Sequence, residues 1–386
     1  GYVYTTSNPR KGWKLLSRIP HFHDASLFFD DDGKAYIFYG TGQLRELKPD
    51  LSGVMPGGVD MKIFERDKEE NALLEGSRVL KPDLSGVMPG GVKMKVFERD
   101  EEENALLEGS RVIKHEGKYY LLMISWPKGG KRRQVCYRAD KITGPYEKKV
   151  ILEDAFDGFP YVAQGTIIDD GKGNWYGVIF QDRNGVGRVL TLMPCRWIDG
   201  WPMLGDENGH VPATMRKPVQ GYAAKGLVVS DDFKDKKLKL NWQWNHNPMN
   251  DCWSLKERKG YLRLKTGRIV DNLFVAPNTL TQRMEGPECS GVVCMDLSGM
   301  KDGDVAGLSA FNSDAGILAV TCKGNQKFLT MKTESVQLDK TNKAVTDIDR
   351  KEIQTIPLTS DKIYLRVDGD FRLRRDIASF YYSYDN

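Results

Sequence analysis

Three stretches of this chain repeat one design, and that repetition limits the possible folds more than any other feature. In the first, Leu27-Phe28-Phe29 leads through Asp30–Lys34 into Ala35-Tyr36-Ile37-Phe38-Tyr39. In the second, Arg111-Val112-Ile113 leads through His115–Lys118 into Tyr119-Tyr120-Leu121-Leu122-Met123-Ile124. In the third, Gly165-Thr166-Ile167-Ile168 leads through Asp169–Asn174 into Trp175-Tyr176-Gly177-Val178-Ile179-Phe180. Each reads as an apolar strand, a Gly-containing turn and an aromatic strand, which is a β-hairpin. No long amphipathic helix pattern lies between them. Hairpins recurring at this spacing are how a β-propeller looks in sequence.

The spacing has one interruption. Residues 47–79 and 80–112 are a tandem duplication, identical at 30 of 33 positions. The exceptions are Asp60/Lys93, Ile63/Val96 and Lys68/Glu101. The two charge exchanges suggest positions facing solvent, and the Ile/Val pair suggests a buried one. Two copies are too few for a solenoid. Gly33 and Gly117 are 84 residues apart; removing one copy leaves 84 − 33 = 51, close to the 56 between Gly117 and Gly173. The duplication therefore reads as an insertion into a propeller that needs one copy.

A loop-like stretch, Gly205–Lys225, suggests a boundary that divides the chain into 1–215 and 216–386. Beyond it come short strand-like runs at Leu238–Trp244, Gly260–Thr266, Gly291–Asp296, Gly316–Cys322, Phe328–Lys332 and Ile363–Val367. Runs of this length with polar turns predict a β-sandwich. Tyr2–Thr5 and Ser379–Asn386 also read as strand, so both ends look cut, and the first propeller blades are expected to be missing. The expected fold is all-β: part of a propeller, then a sandwich.

Composition removes several function classes. Net charge is 57 − 53 = +4 and diffuse, which gives no footprint for nucleic acid. Mean hydropathy is −0.49 and no run of 18 apolar residues occurs, so no membrane-spanning helix is expected. Residues 1–20 contain no apolar export core. The six cysteines, Cys136, Cys195, Cys252, Cys289, Cys294 and Cys322, form no CxxC pair and no zinc-finger spacing. They read as small buried hydrophobes and leave the redox compartment open.

Several segments in order carry a resemblance. They are His23-Asp24-Ala25-Ser26-Leu27-Phe28-Phe29-Asp30-Asp31-Asp32-Gly33, Glu108-Gly109-Ser110, Ala163-Gln164-Gly165, Val186-Gly187-Arg188, Trp197-Ile198-Asp199-Gly200-Trp201-Pro202 and Trp242-Gln243-Trp244-Asn245-His246-Asn247-Pro248. Together they resemble glycoside hydrolase family 43, in its β-xylosidase / α-L-arabinofuranosidase branch. The resemblance implies a five-bladed propeller, only partly present here, followed by a concanavalin-like (jelly-roll) sandwich. It implies an inverting glycosidase that removes β-D-xylosyl or α-L-arabinofuranosyl groups from xylan-type oligosaccharides. The partners would be xylo- or arabino-oligosaccharides, with no nucleic acid and no membrane, in a secreted or periplasmic bacterial setting; a cytoplasmic one stays open.

Residue by residue, Glu108 matches the family's general acid and Asp24 the helper that holds the acid's pKa up. Ala25 stands where the family usually has Pro. The duplication creates a rival acid, Glu75, in an identical Leu-Leu-Glu-Gly-Ser-Arg-Val setting. Glu108 is followed by a hairpin, whereas Lys81-Pro82-Asp83 after Glu75 interrupts a strand ladder. The family's base, an Asp upstream of the helper, has no counterpart among residues 1–23. Without it, the alternative function is sugar binding without turnover.

Arg188 matches an arginine that reaches the sugar, a guanidinium fork suited to hydroxyls. Gln164 is taken as a second substrate-binding residue; it follows a position where many members place a metal-associated His, and Ala163 stands there instead. Trp126 offers an aromatic face to a sugar ring. Gln181-Asp182-Arg183 is placed at the rim. No cofactor is required and no metal ligand is assigned; a structural calcium stays open without a clear motif, since Asp30-Asp31-Asp32-Gly33 lacks the rest of a calcium loop and reads as a turn. His21 and His23 lack a third ligand, and Lys128–Arg133 reads as a solvated basic loop.

Overall fold

The Gly turns and aromatic strands close into antiparallel meanders. The computed structural model describes residues 1–40, 42–62, 93–95, 106–221, 223, 226, 228–340 and 344–385. The chain divides into two compact units, Gly1–Asp182 with Arg188–Gly221, and Arg183–Gly187 with Tyr222–Asn386. Among the described residues every regular element is a strand or a short 3-10 turn, and no helix is long and apolar enough to cross a membrane.

The first unit begins with a hairpin, β1 (Tyr2–Thr5) and β2 (Lys14–Arg18). Three sheets follow. One holds β3 (Ser26–Phe29), β4 (Ala35–Tyr39), β5 (Gln43–Leu47), β6 (Asp60–Lys62) and β7 (Lys93–Lys95), side by side in that order. The next holds β8 (Leu106–His115), β9 (Lys118–Trp126), β10 (Arg133–Ala139) and β11 (Glu147–Leu152). The third holds β12 (Gly165–Asp169), β13 (Trp175–Asp182), β14 (Arg188–Ile198) and β15 (Trp201–Leu204). Up-and-down four-stranded meanders are propeller blades, and the three predicted hairpins supply the first two strands of each. The blades do not close into a ring.

Burial explains why the middle blade has the most apolar strand. Residues Tyr120 to Ile124 of β9 are almost fully buried on both sheet faces. Leu121 and Met123 pack with Phe28, Tyr36 and Phe38 of the first blade. Tyr120 and Leu122 pack with Ile167, Ile179 and Met193 of the third, a core that also holds Cys136 and Cys195. A strand buried on both faces reads as a continuous apolar run rather than an alternating one, and each such side chain contributes about 1.5–3 kcal/mol of burial.

The two repeat copies meet in the first blade. β6 comes from the first copy and β7 from the second, and they pair in parallel with partners Asp60↔Lys93, Met61↔Met94 and Lys62↔Lys95. Every partner is its own counterpart 33 residues on. The first copy holds the place beside β5, with Arg45↔Asp60 in register. There Arg45 Nε bonds Asp60 Oδ1 at 3.1 Å. The second copy would set Lys93 against Arg45, two like charges side by side, which is destabilising. Position 60 is therefore not solvent-facing as the charge exchange suggested: the Asp60 side chain is only 21% exposed. Positions 63, 68, 75, 96 and 101 lie outside the described residues.

The second unit contains short strands β16 (Gln243–Trp244), β17 (Trp253–Ser254), β18 (Arg263–Leu264) and β19 (Leu280–Thr281), paired β16 with β19 and β17 with β18. The expected runs Leu238–Trp244 and Gly260–Thr266 shrink to two residues each, because their apolar residues are spread among Lys, Arg and Asn. Longer strands follow: β20 (Glu288–Asp296), β21 (Val305–Ala310), β22 (Asp314–Lys323), β23 (Gln326–Leu338), β24 (Val345–Leu358), β25 (Lys362–Asp370) and β26 (Ile377–Ser383). They form sheets β20-β25-β26 and β21-β22-β23-β24. Leu318, Val320 and Leu329 of one sheet pack with Ile363 and Leu365 of the other. This is a β-sandwich core of the kind the alternating runs predicted.

If the extra copy is an insertion, deleting residues 64–96, one full period, leaves β6, Glu108 and the middle blade unaltered. We expect a cooperative melt with Tm no lower than that of the full chain. Asp60→Lys, by contrast, should lower stability by about 1–3 kcal/mol, read by denaturant titration.

Candidate active site

Glu108 is held by a deliberate break in a strand ladder. β8 pairs with β9 as Glu108↔Ile124 and then Arg111↔Leu122, so Gly109 and Ser110 form a bulge. Bulges re-aim side chains and recur beside active sites. Gly109 has φ +68, and a Cβ there would lie 2.3 Å from Nε2 of Gln164. Glycine suits both features: the left-handed backbone strains a side chain, and a Cβ would have to displace the packed amide. Gln164 is itself left-handed, φ 70, and its backbone N–H donates to Gln134 Oε1 at 2.7 Å. Gln134 is fully buried on β10. The predicted sugar ligand Gln164 thus packs behind Glu108, where it shapes the bulge.

Asp24 approaches from the first blade. Phe22 stacks edge-on against Tyr39 at 4.8 Å, and the His23 carbonyl accepts the Gly40 N–H at 2.7 Å. With the chain so anchored, Asp24 takes a left-handed φ of 49 before β3 begins. One nitrogen of His23 and one carboxylate oxygen each of Asp24 and Glu108 then lie within 4.8 Å of one another. The structure brings the two predicted carboxyls together, with His23 Nε2 3.6 Å from Asp24 Oδ2.

This arrangement raises the proton affinity of Glu108. Burial raises its pKa first, and the negative charge of Asp24 raises it further; His23, Arg132 and Arg188 oppose the rise. Burial and a like charge are the two ways to keep a carboxyl protonated. The His23-Asp24-Glu108 group has the donor types of a cation site.

Around the pair lies an aromatic and cationic rim. Trp126 is 40% exposed, and its indole N–H donates to the Gly130 carbonyl at 3.0 Å. Arg132 stacks on Trp126 at 4.7 Å and on Tyr161 at 4.9 Å. Arg188 lies over Phe180 at 4.9 Å, with its Nε 3.4 Å from Asp182. Sequence reasoning missed Arg132 and Tyr161. The run Lys128–Arg133 is more than a solvated loop, because Arg132 reaches this rim and Arg133 is 7% exposed, its Nε donating to Ser125 Oγ. No local pattern marks that difference, since the ring partners come from other segments, Trp126 at the end of β9 and Tyr161 ahead of β12. Asp30 accepts from Tyr119 and Lys114 in a hairpin turn, as the turn reading expected. Glu75 lies outside the described residues.

Residues 2–202 match the profile of the glycosyl hydrolases family 43, and residues 230–386 match the β-xylosidase C-terminal concanavalin A-like domain. A putative β-xylosidase of Xylanibacter ruminicola is 32% identical over 77% of this chain and 52% of its own length. A non-reducing end α-L-arabinofuranosidase of Bacteroides ovatus is 29% identical over 43% of this chain and 34% of its own. A solved structure from Bacteroides eggerthii, described as a bifunctional GH43-CE, is 41% identical with a TM-score of 0.79; the match covers 100% of this chain and 45% of that one. The chain spans about half the length of the first of these relatives.

The raised proton affinity of Glu108 has a thermal signature. The folded state binds this proton more tightly than the unfolded chain does, so its stability falls as pH rises from the ordinary carboxyl value of 4.5 through the folded midpoint. Glu108→Gln removes that slope. Its Tm should exceed the parent's at pH 7, with the gap closing below pH 4; a gap independent of pH would contradict the assignment.

Proposed function

The chain belongs to glycosyl hydrolase family 43, and on that footing we propose that it removes terminal β-D-xylosyl or α-L-arabinofuranosyl groups from xylan-type oligosaccharides, with inversion. The observation that carries this reading is the Glu108–Asp24 pair: a half-buried carboxyl of raised proton affinity beside a second carboxylate.

In this reading Glu108 is the general acid and protonates the departing glycosidic oxygen. Asp24 raises its proton affinity and orients it. The two carboxyls, within 4.8 Å, are too close to be the acid and base of an inverting pair, which stand about 6.5–9.5 Å apart to admit water. Water activation therefore falls to a third carboxylate. Residues 1–23 contain no Asp or Glu, so none of them fills that role. Trp126 stacks on a sugar ring, Arg188 hydrogen-bonds its hydroxyls, and Gln164 holds the Glu108 bulge in shape. Hydrolysis by this route needs no cofactor.

The second reading is sugar binding without turnover. Incubation with nitrophenyl β-D-xyloside and nitrophenyl α-L-arabinofuranoside separates the two. Turnover of either, with loss of about 10²–10⁴-fold in kcat on natural xylo-oligosaccharides for Glu108→Gln, supports hydrolysis. Calorimetric binding of xylo-oligosaccharides with no turnover supports the binding reading.

A further inference from the structure

Both arginines near Glu108 are tied to one carboxylate. Asp182, the last residue of β13, accepts through Oδ2 from the Tyr161 hydroxyl at 2.6 Å and from Arg132 Nη1 at 3.3 Å. Its Oδ1 lies 3.4 Å from Arg188 Nε. Arg132 Nη1 also donates to Tyr161 Oη at 2.5 Å, closing a three-membered ring of bonds. Gln181, fully buried next to Asp182, donates to the Phe156 and Tyr161 carbonyls and fixes the loop that carries Tyr161. Neither guanidinium makes an ion pair with Glu108 or Asp24 among the described residues. Both are near enough to act on Glu108 through space.

A guanidinium within about 4–6 Å of a carboxyl lowers its pKa by roughly 1–3 units. An acid flanked by two free arginines would lose its proton at neutral pH and could no longer serve as a proton donor. We propose that Asp182 is a positioning residue that withholds Arg132 and Arg188 from Glu108 by binding both guanidiniums itself. The charged groups that act on Glu108 come from three sides. Asp24 and His23 lie ahead of β3, Arg132 precedes β10, and Arg188 opens β14. Asp182 is the carboxylate that answers both arginines. The proposal rests on the reading of Glu108 as the acid, yet its test does not need turnover.

The test is a carboxyl ¹³C NMR titration of Glu108, its resonance assigned by loss in Glu108→Gln. In Asp182→Asn the released arginines should pull the Glu108 midpoint down by about one pH unit or more. Asp182→Glu, which keeps the charge, should restore most of it. Arg188→Gln removes an exposed cation and should raise the midpoint, and it keeps the idea testable if Asp182→Asn fails to melt cooperatively. A midpoint that stays put or rises in folded Asp182→Asn, or one that does not move in Arg188→Gln, overturns the proposal. Absence of glycosidase activity in the parent would count against the hydrolase reading alone and leave the titration result standing.

Discussion

The site depends on one backbone feature, the left-handed turn at Gly109. A Cβ there would be strained by the backbone and would have to displace the amide of Gln164. At this point the β8 ladder skips two residues between Glu108 and Arg111. The skip frees Glu108 from strict sheet geometry while Leu107 and Ser110, both buried, clamp the backbone on either side. A proton donor needs a fixed position with a mobile proton, and a bulge between two buried residues provides it. Asp24 reaches the same point by a similar device, a left-handed residue at the entrance to a strand.

The duplication shows how a fold accommodates a second copy of its own sequence. The blade takes its β6 strand from the first copy and the Glu108 strand from the second, so each copy gives one half of what a single copy holds. One charge chooses between them at the blade edge, since Arg45 finds Asp60 in the first copy and would meet Lys93 in the second. The in-register pairing of β6 with β7 sets matching residues together at two of three rungs, Met61 with Met94 and Lys62 with Lys95, and opposite charges, Asp60 and Lys93, at the third. The blade edge is thereby extended by a strand instead of being left open.

Much of the fold was legible because it is written locally. The hairpins at Asp30–Lys34, His115–Lys118 and Asp169–Asn174 follow from Gly turns flanked by apolar runs, and each is a paired turn in the structure. The strand β24 was not foreseen: Val345–Leu358 is exposed along most of its length and charged, so alternation is absent and its pairing with β23 decides it. At the site, Glu108 and Asp24 were legible through resemblance, and their proximity was not, because it depends on blade packing. Arg132 was illegible for the same reason. Its ring partners Trp126 and Tyr161 lie on different segments, and a basic residue beside Lys128, Lys131 and Arg133 carries no mark of its own.

The central claim is that partial burial beside Asp24 raises the proton affinity of Glu108. The most direct measurement is the ionisation midpoint of the Glu108 carboxyl in the parent chain and in Asp24→Asn. The account predicts a parent midpoint above the ordinary 4.5 and a fall in the variant, since the Asp24 charge adds to the rise that burial causes. A parent midpoint at or below 4.5, or one indifferent to Asp24, would contradict it.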